Sequence, residues 1–178
     1  MDNHYTLDGI TDDLKETVER IGTDLEPQDD WMPTMICYGD MPAIVGIPEL
    51  GDKNAKGIIC NVVIPELLKK TKPEFVALIT MGWMKEYDPK TLEGAAEMAR
   101  DEATYDRGNI ADRPGRSEVL TIQIVGKDGS ERQLFAYVHR YPTSAPLLQW
   151  REHNCTHSEG LFPETLRSAM EAAWKPQS

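Results

Sequence analysis

Residues 74–84, Glu-Phe-Val-Ala-Leu-Ile-Thr-Met-Gly-Trp-Met, carry apolar side chains on both parities of an extended chain. Phe75, Ala77, Ile79, Met81 and Trp83 fall on one side, and Val76, Leu78 and Met84 on the other. A strand with one wet face alternates apolar and polar positions, so this run predicts a strand buried on both faces, in the middle of a sheet. Val76, Leu78, Ile79 and Met81 are expected in the core, joined by Ile122 and Val138.

The rest of the chain can be arranged around that strand. Leu7, Ile10, Leu14, Val18, Ile21 and Leu25 recur at three- and four-residue steps and predict an amphipathic helix over about residues 8–25, capped by Thr11 or Asp8. Residues 34–38 and 41–48 flank Gly39-Asp40 and read as a hairpin. Pro42 and Pro48 cannot donate to a ladder, so the second strand belongs at an edge or has frayed ends; Gly46 marks a bulge or a close backbone approach. Ile58, Ile59, Val62, Val63, Leu67 and Leu68 then give a helix a broad apolar face. Pro65 inside it removes one hydrogen bond and clashes with the carbonyl of Asn61, which predicts a kink or a break and restart. Cys60 is expected to pack there, with Asn61 serving the freed backbone group. Lys69, Lys70 and Lys72 suit the helix C-terminus, and Pro73 ends it.

Downstream, Asp88-Pro89 predicts a cap and first-turn proline for a helix ended by Gly108. Leu92, Ala95, Ala96, Ala99 and Ala103 would line its apolar side, with Glu93, Glu97, Arg100, Asp101, Glu102 and Asp106 opposite. Residues 85–111 are read as a local elaboration. Residues 119–125 and 133–141 predict a second hairpin around Gly126-Lys-Asp-Gly129. Leu120, Ile122, Ile124, Leu134, Ala136 and Val138 share one face, and Thr121, Gln123, Gln133, Tyr137 and His139 a wetter one. Residues 142–146 read as a loop and 147–153 as a further strand. A last helix has Pro163 in its first turn and Leu166, Met170 and Trp174 on one face. The fold class is α+β: a single domain, residues 1–178, with a mainly antiparallel sheet of five or six strands covered by the kinked helix and the terminal helices.

Charge changes this picture at one place. The net charge is −11, and residues 1–30 hold ten acids and two bases, which makes the N-terminal helical segment the acidic part. Such a chain would be repelled by nucleic-acid phosphates, so direct nucleic-acid binding is not expected. The acids either keep the protein soluble or act as a decoy for a basic, nucleic-acid-binding partner. No run approaches the ~20 apolar residues of a membrane span. The N-terminal residues lack the basic and apolar regions of a signal peptide, and Cys37, Cys60 and Cys155 are odd in number and far apart, so a cytoplasmic protein is expected.

Candidate chemistry is sparse. There is no Gly-rich phosphate loop, no GxSxG elbow and no HExxH. Glu97 and Asp101 sit one helical turn apart, as carboxylates sharing a divalent cation would, or as part of a solvated face. His153, Cys155 and His157 could serve zinc if helical, or belong to a polar loop around a buried cysteine. A nucleophilic pair of Cys155 or Cys60 with His139 would depend on the fold bringing them together. Arg113 and Arg116 are planar donors able to grip a carboxylate or phosphate, and Glu118 could orient one of them or form a rim ion pair with Arg116.

Gly82-Trp83-Met84, followed by Arg113-Pro-x-Arg116-x-Glu118-Val119, resembles a pattern of small uncharacterised proteins encoded by phages and bacteria, over roughly residues 74–140. The resemblance implies no known activity. Two classes of function therefore stay open. One is a non-enzymatic cytoplasmic protein that binds another protein, such as a phage or mobile-element accessory or inhibitor factor, with no cofactor. The other is a small hydrolase or metal-dependent enzyme using His153, Cys155 and His157, with zinc as the cofactor, or Arg113, Arg116 and Glu118. Trp83, Arg113, Arg116, Glu118 and His139 are the candidate ligand or partner contacts. Whether they converge in a concave pocket separates the two classes.

Overall fold

The computed structural model describes residues 5–47, 53–105, 110–155 and 161–175, with backbone alone for 53, 152–155 and 161. Its centre is a six-stranded sheet in the order β2-β1-β3-β4-β5-β6, antiparallel throughout. The strands are β1 (Thr34–Tyr38), β2 (Ala43–Gly46), β3 (Phe75–Met84), β4 (Ser117–Gly126), β5 (Glu131–Tyr141) and β6 (Ser144–Cys155). The apolar run of residues 74–84 is β3, and it lies inside the sheet between β1 and β4.

Both faces of β3 and β4 are covered. On one, Ala77, Ile79, Leu120, Ile122 and Ile124 pack under Ile10, Leu14 and Val18 of α1 (Leu7–Thr23). On the other, Val76, Leu78 and Val125 meet Ile64 and Leu68 of α3 (Ile64–Thr71) and Leu166 and Met170 of α5 (Leu161–Trp174). The α+β architecture and its mainly antiparallel sheet thus agree with the hydrophobic pattern. Of the expected core residues only Met81 is not fully buried; it packs at the margin of the α1 side.

Several local expectations are corrected. The cap of α1 is Thr6, whose hydroxyl accepts the Gly9 N–H at 3.1 Å. Thr11 and Asp8 lie inside the helix, where the Thr11 hydroxyl donates to the Leu7 carbonyl and Asp8 pairs with Arg132. Ile21 is exposed because the helix stops at Thr23; Trp31 packs beside α1 instead, its indole N–H donating to the Val18 carbonyl at 2.8 Å. Gln123 is buried rather than wet. Strand β6 starts at Ser144, so Pro146 sits within a strand rather than a loop. That is tolerated because β6 is an edge and the register slips between His139 and Tyr141 beside it.

Pro65 neither breaks nor sharply restarts its helix. Helix α2 (Lys53–Ile58) runs through a single π-helical turn (Ile59–Val63) into α3, and the Ile64 N–H donates to the Ile59 carbonyl five residues back. The widened turn sits directly ahead of the proline, where an α-helix would set its ring against the Asn61 carbonyl. Cys60 is buried as expected, but Asn61 is exposed. Helix α4 (Leu92–Thr104) is capped by Thr91, which accepts the Gly94 N–H at 3.0 Å, while Asp88 closes the preceding turn. It ends at Thr104, where Tyr105 turns extended, ahead of the expected stop at Gly108, which itself lies outside the described residues.

Leu78→Ala should lower stability by about 2–5 kcal/mol, because it leaves a cavity between β3 and the α3–α5 pair. Chemical denaturation checks this; an unmoved midpoint would contradict two-sided burial of β3.

Candidate functional site

Four of the five candidates collect near one end of β3 and β4; Trp83 and Arg116 engage each other, while Glu118 and Arg113 are held by other neighbours. Trp83 and Glu118 are direct cross-strand partners. The Arg116 guanidinium lies over the Trp83 ring, 4.7 Å from its centroid, and does not pair with Glu118. Glu118 instead takes a two-pronged grip from Arg140 on β5, Nε to Oε2 at 2.7 Å and Nη2 to Oε1 at 2.8 Å. The expected Arg116–Glu118 ion pair is therefore replaced by a planar fork across strands, a geometry one flexible loop arginine two residues away cannot match. Arg140 also donates to the Asp29 and Pro27 carbonyls and to the Asp30 carboxylate. Glu118 beside it raises the Arg140 pKa further above its already high value. This cluster ties the acidic segment after α1 to the sheet.

Arg113 follows a 3-10 turn (Ile110–Asp112) and is only 7% exposed. It donates to the Tyr87 hydroxyl at 3.0 Å, and Tyr87 donates to Asp101 at 2.8 Å. Asp101 and Glu97 do share a cation, but it is the Lys85 ammonium, at 2.7 and 2.8 Å. The Lys85 amine holds the Asp101 carboxyl below the usual carboxylate range, with help from Tyr87, and Asp101 and Glu97 raise the Lys85 pKa. The helix is consequently turned over relative to expectation. It docks through Gly94 and Asp101, while Ala96, Ala99 and Ala103 face solvent and Leu92 is 90% exposed.

His139 lies on the opposite face of the sheet from Glu118, exposed, with its Nε2 2.9 Å from Gln149 Oε1. It cannot join the other four. Cys60 is buried in the π turn beside α5, and the described hydrogen bond of His139 goes to Gln149, so nothing described brings the two together as a nucleophilic pair. His153 and Cys155 fall on the end of β6 where side chains are not described, and His157 lies outside the described residues. Among the described residues, no three His, Cys, Asp or Glu side chains converge as metal ligands.

Among the described residues an apolar concave surface lies elsewhere. A groove of about 500 Å³ opens between the edge of the sheet and the α2–π–α3 rod. Met35, Val45 and Ile47 supply its sheet side, and Ile58, Ile59 and Val63 its helical side. None of the five polar candidates lines it. Gly46 is also there, held close to Met32: a Cβ on Gly46 would lie 2.8 Å from the Met32 Cε. Two of the groove's lining residues, Ile58 and Val63, are 59% and 41% exposed, and Val62, next to Val63 in the chain, is 53% exposed. One helical turn beyond Val63, a second depression of about 510 Å³ is lined by Glu66, Leu67, Lys69 and Lys70.

The sequence carried a signal for this groove. Apolar pairs at 58/59, 62/63 and 67/68 make a wider stripe than one sheet face can cover. Leu68 is buried and Ile59 and Leu67 are partly so, but the excess, Ile58, Val62 and Val63, is left in solvent. Comparison with protein-family models, curated proteins and solved structures finds no match. Among the described residues no helix is long and apolar enough to cross a membrane.

Two outcomes are expected. Glu118→Ala should cost about 1–3 kcal/mol by leaving the largely enclosed Arg140 short of its main partner, read as a shifted denaturation midpoint. The Asp101 contribution is complete above the ordinary carboxylate value, declines as pH falls below it, and is gone once pH passes the depressed value. Hydrogen exchange should therefore show α4 losing protection on acidification, and Asp101→Asn should already lack that protection at neutral pH. A protected α4 in that variant would contradict docking by the ion cluster.

Proposed function

We propose that this protein works by binding another protein, without catalysis, through the apolar groove between the sheet edge and the π-turn rod. The observation that carries this reading is the groove's rim: Ile58 and Val63 line it and are exposed, with the exposed Val62 next to Val63 in the chain, beside a concave apolar floor. Contiguous exposed apolar surface of this kind marks interaction sites, because leaving it in water forfeits burial that folding would otherwise gain. The groove's size is also in the range of sites that take side chains or small ligands.

The alternative enzyme built on Arg113, Arg116 and Glu118 draws little support from the geometry. Those side chains are held by Tyr87, Trp83 and Arg140 respectively, and none of them lines the apolar groove. A reducing, cytoplasmic setting fits the buried free thiols of Cys37 and Cys60. The part of an accessory or inhibitor factor in a phage or mobile element rests on the resemblance of residues 74–140 alone.

The test is affinity capture from bacterial lysate with the wild-type chain and with Ile58→Asp/Val62→Asp. Both substituted residues are solvent-facing, so the variant should keep its circular dichroism and melting temperature. Partners held by the wild type and lost by the variant are the expected result. Identical capture by the two proteins would remove the groove as the binding site.

A further inference from the structure

We infer that the groove's occupant is an acidic amphipathic helix, seated with its apolar ridge along the π-turn rod and its carboxylates toward Lys69 and Lys70. This rests on the protein-binding reading above and specifies the partner's form and charge.

The first argument concerns form. A protein bound at a sheet edge can add a strand or lay down a helix. Strand addition needs outward backbone donors on β2, and the phase of the hairpin fixes which residues have them. The Ile47 N–H donates to the Pro33 carbonyl at 2.7 Å, and Met35 pairs with Val45 and Cys37 with Ala43. In an antiparallel pair the backbone groups of alternate residues turn toward the partner strand. Residues 43, 45 and 47 thus bond to β1, and only Ile44 and Gly46 aim their N–H groups outward. Pro42 shares their parity and has no N–H, and Pro48 has none either. An incoming strand would find two donors bracketed by prolines, an arrangement that discourages edge pairing. Contact through side chains in the groove remains, and a ridge of apolar residues at helical spacing fits a trough walled by another helix.

The second argument concerns charge. The chain as a whole is −11, yet residues 53–72 carry five lysines against the single Glu66. The apolar stripe of Ile58, Val62 and Val63 continues one turn on to Leu67, and there Lys69 and Lys70 are exposed at the second depression, with Glu66 beside them. A basic partner would gain little from that end and would be drawn to the acidic α1 side of the sheet instead. An acidic one is steered to the rod and repelled from α1, which sets both place and orientation.

The probe is a displayed library of random peptides of about 16 residues, some four helical turns, selected on the full chain. Expected are peptides with apolar residues at helical spacing and acids outnumbering bases. A chosen peptide should bind the Ile58→Asp/Val62→Asp variant at least about tenfold more weakly, and Lys69→Glu/Lys70→Glu should weaken it about threefold or more. Groove-dependent peptides that alternate like strands, or that ignore the charge at 69 and 70, would overturn this inference while leaving the protein-binding reading intact. Peptides that bind the groove variant undiminished would overturn both. Vesicles of phosphatidylglycerol and of phosphatidylcholine form a parallel arm. Lysine-dependent sedimentation with the anionic vesicles, without peptide enrichment, would assign the rod to a membrane surface and overturn the inference.

Discussion

Two-sided burial of β3 and β4 is the constraint on which the structure depends. Neither strand's middle offers a face to water: Val76, Ala77, Leu78 and Ile79 are buried in succession, and Ile122, Gln123, Ile124 and Val125 lie alongside them. Each face must therefore be roofed by something apolar. Helix α1 arrives before the first strand and takes one side; the α2–π–α3 rod, entering between β2 and β3, takes the other with α5. The meander β4–β5–β6 needs only short turns, while β3 and β4 are joined through residues 85–116, which include α4, so long-range order is concentrated in the placement of helices. The turn between β4 and β5 shows how local chemistry helps. The Gly126 N–H donates to the Ser130 carbonyl at 2.7 Å, and Gly129 adopts φ +82°, a conformation costly for a side-chain-bearing residue.

Burial fades toward the far end of β3, and there polar contacts replace apolar ones. Past Thr80, whose hydroxyl lies 2.8 Å from that of Thr121, the strands carry Trp83 and Glu118 and lead to Lys85 and Arg113. Glu118 and Arg140 hold down the segment after α1, and Lys85 and Asp101 hold down α4. The residues most suggestive of chemistry by type thus serve as fasteners where the hydrophobic core ends. Their enclosure explains why the cost is met by several bonds each: a lone enclosed guanidinium or carboxylate would be expensive to keep.

How legible this was depends on the range of the interaction. The β3 run declared itself because its own side chains define both faces, and Pro42 announced an edge because a missing donor is a local property. The α4 helix misled because apolar periodicity assumes docking by apolar contact. Here Lys85, on the segment before it, inverts the helix by recruiting Glu97 and Asp101. Arg116 and Glu118 suggested a pair by nearness in sequence, whereas the partner, Arg140, comes from the next strand over, 22 residues away. Such contacts depend on strand register, which no single segment encodes.

The groove follows from the same logic. Pro65 must be accommodated without ending a helix whose C-terminal half, through Ile64 and Leu68, is needed to roof β3. A π turn answers this by inserting an extra residue into the winding, which changes the direction in which the preceding side chains point. Cys60 and Ile64 then face the core, while Val62 and Val63 are left outside it. A sequence under selection for burial alone could place polar residues at 58, 62 and 63 at no cost to the core, since those positions contribute little to it. Aliphatic side chains stand there instead, above a hollow that β1 and β2 leave unfilled. Solubility and edge protection both oppose that choice, and Pro42 ahead of β2 shows that the same edge is otherwise guarded. An exposed apolar ridge beside a guarded strand makes physical sense if the surface is reserved for a partner that enters by its side chains.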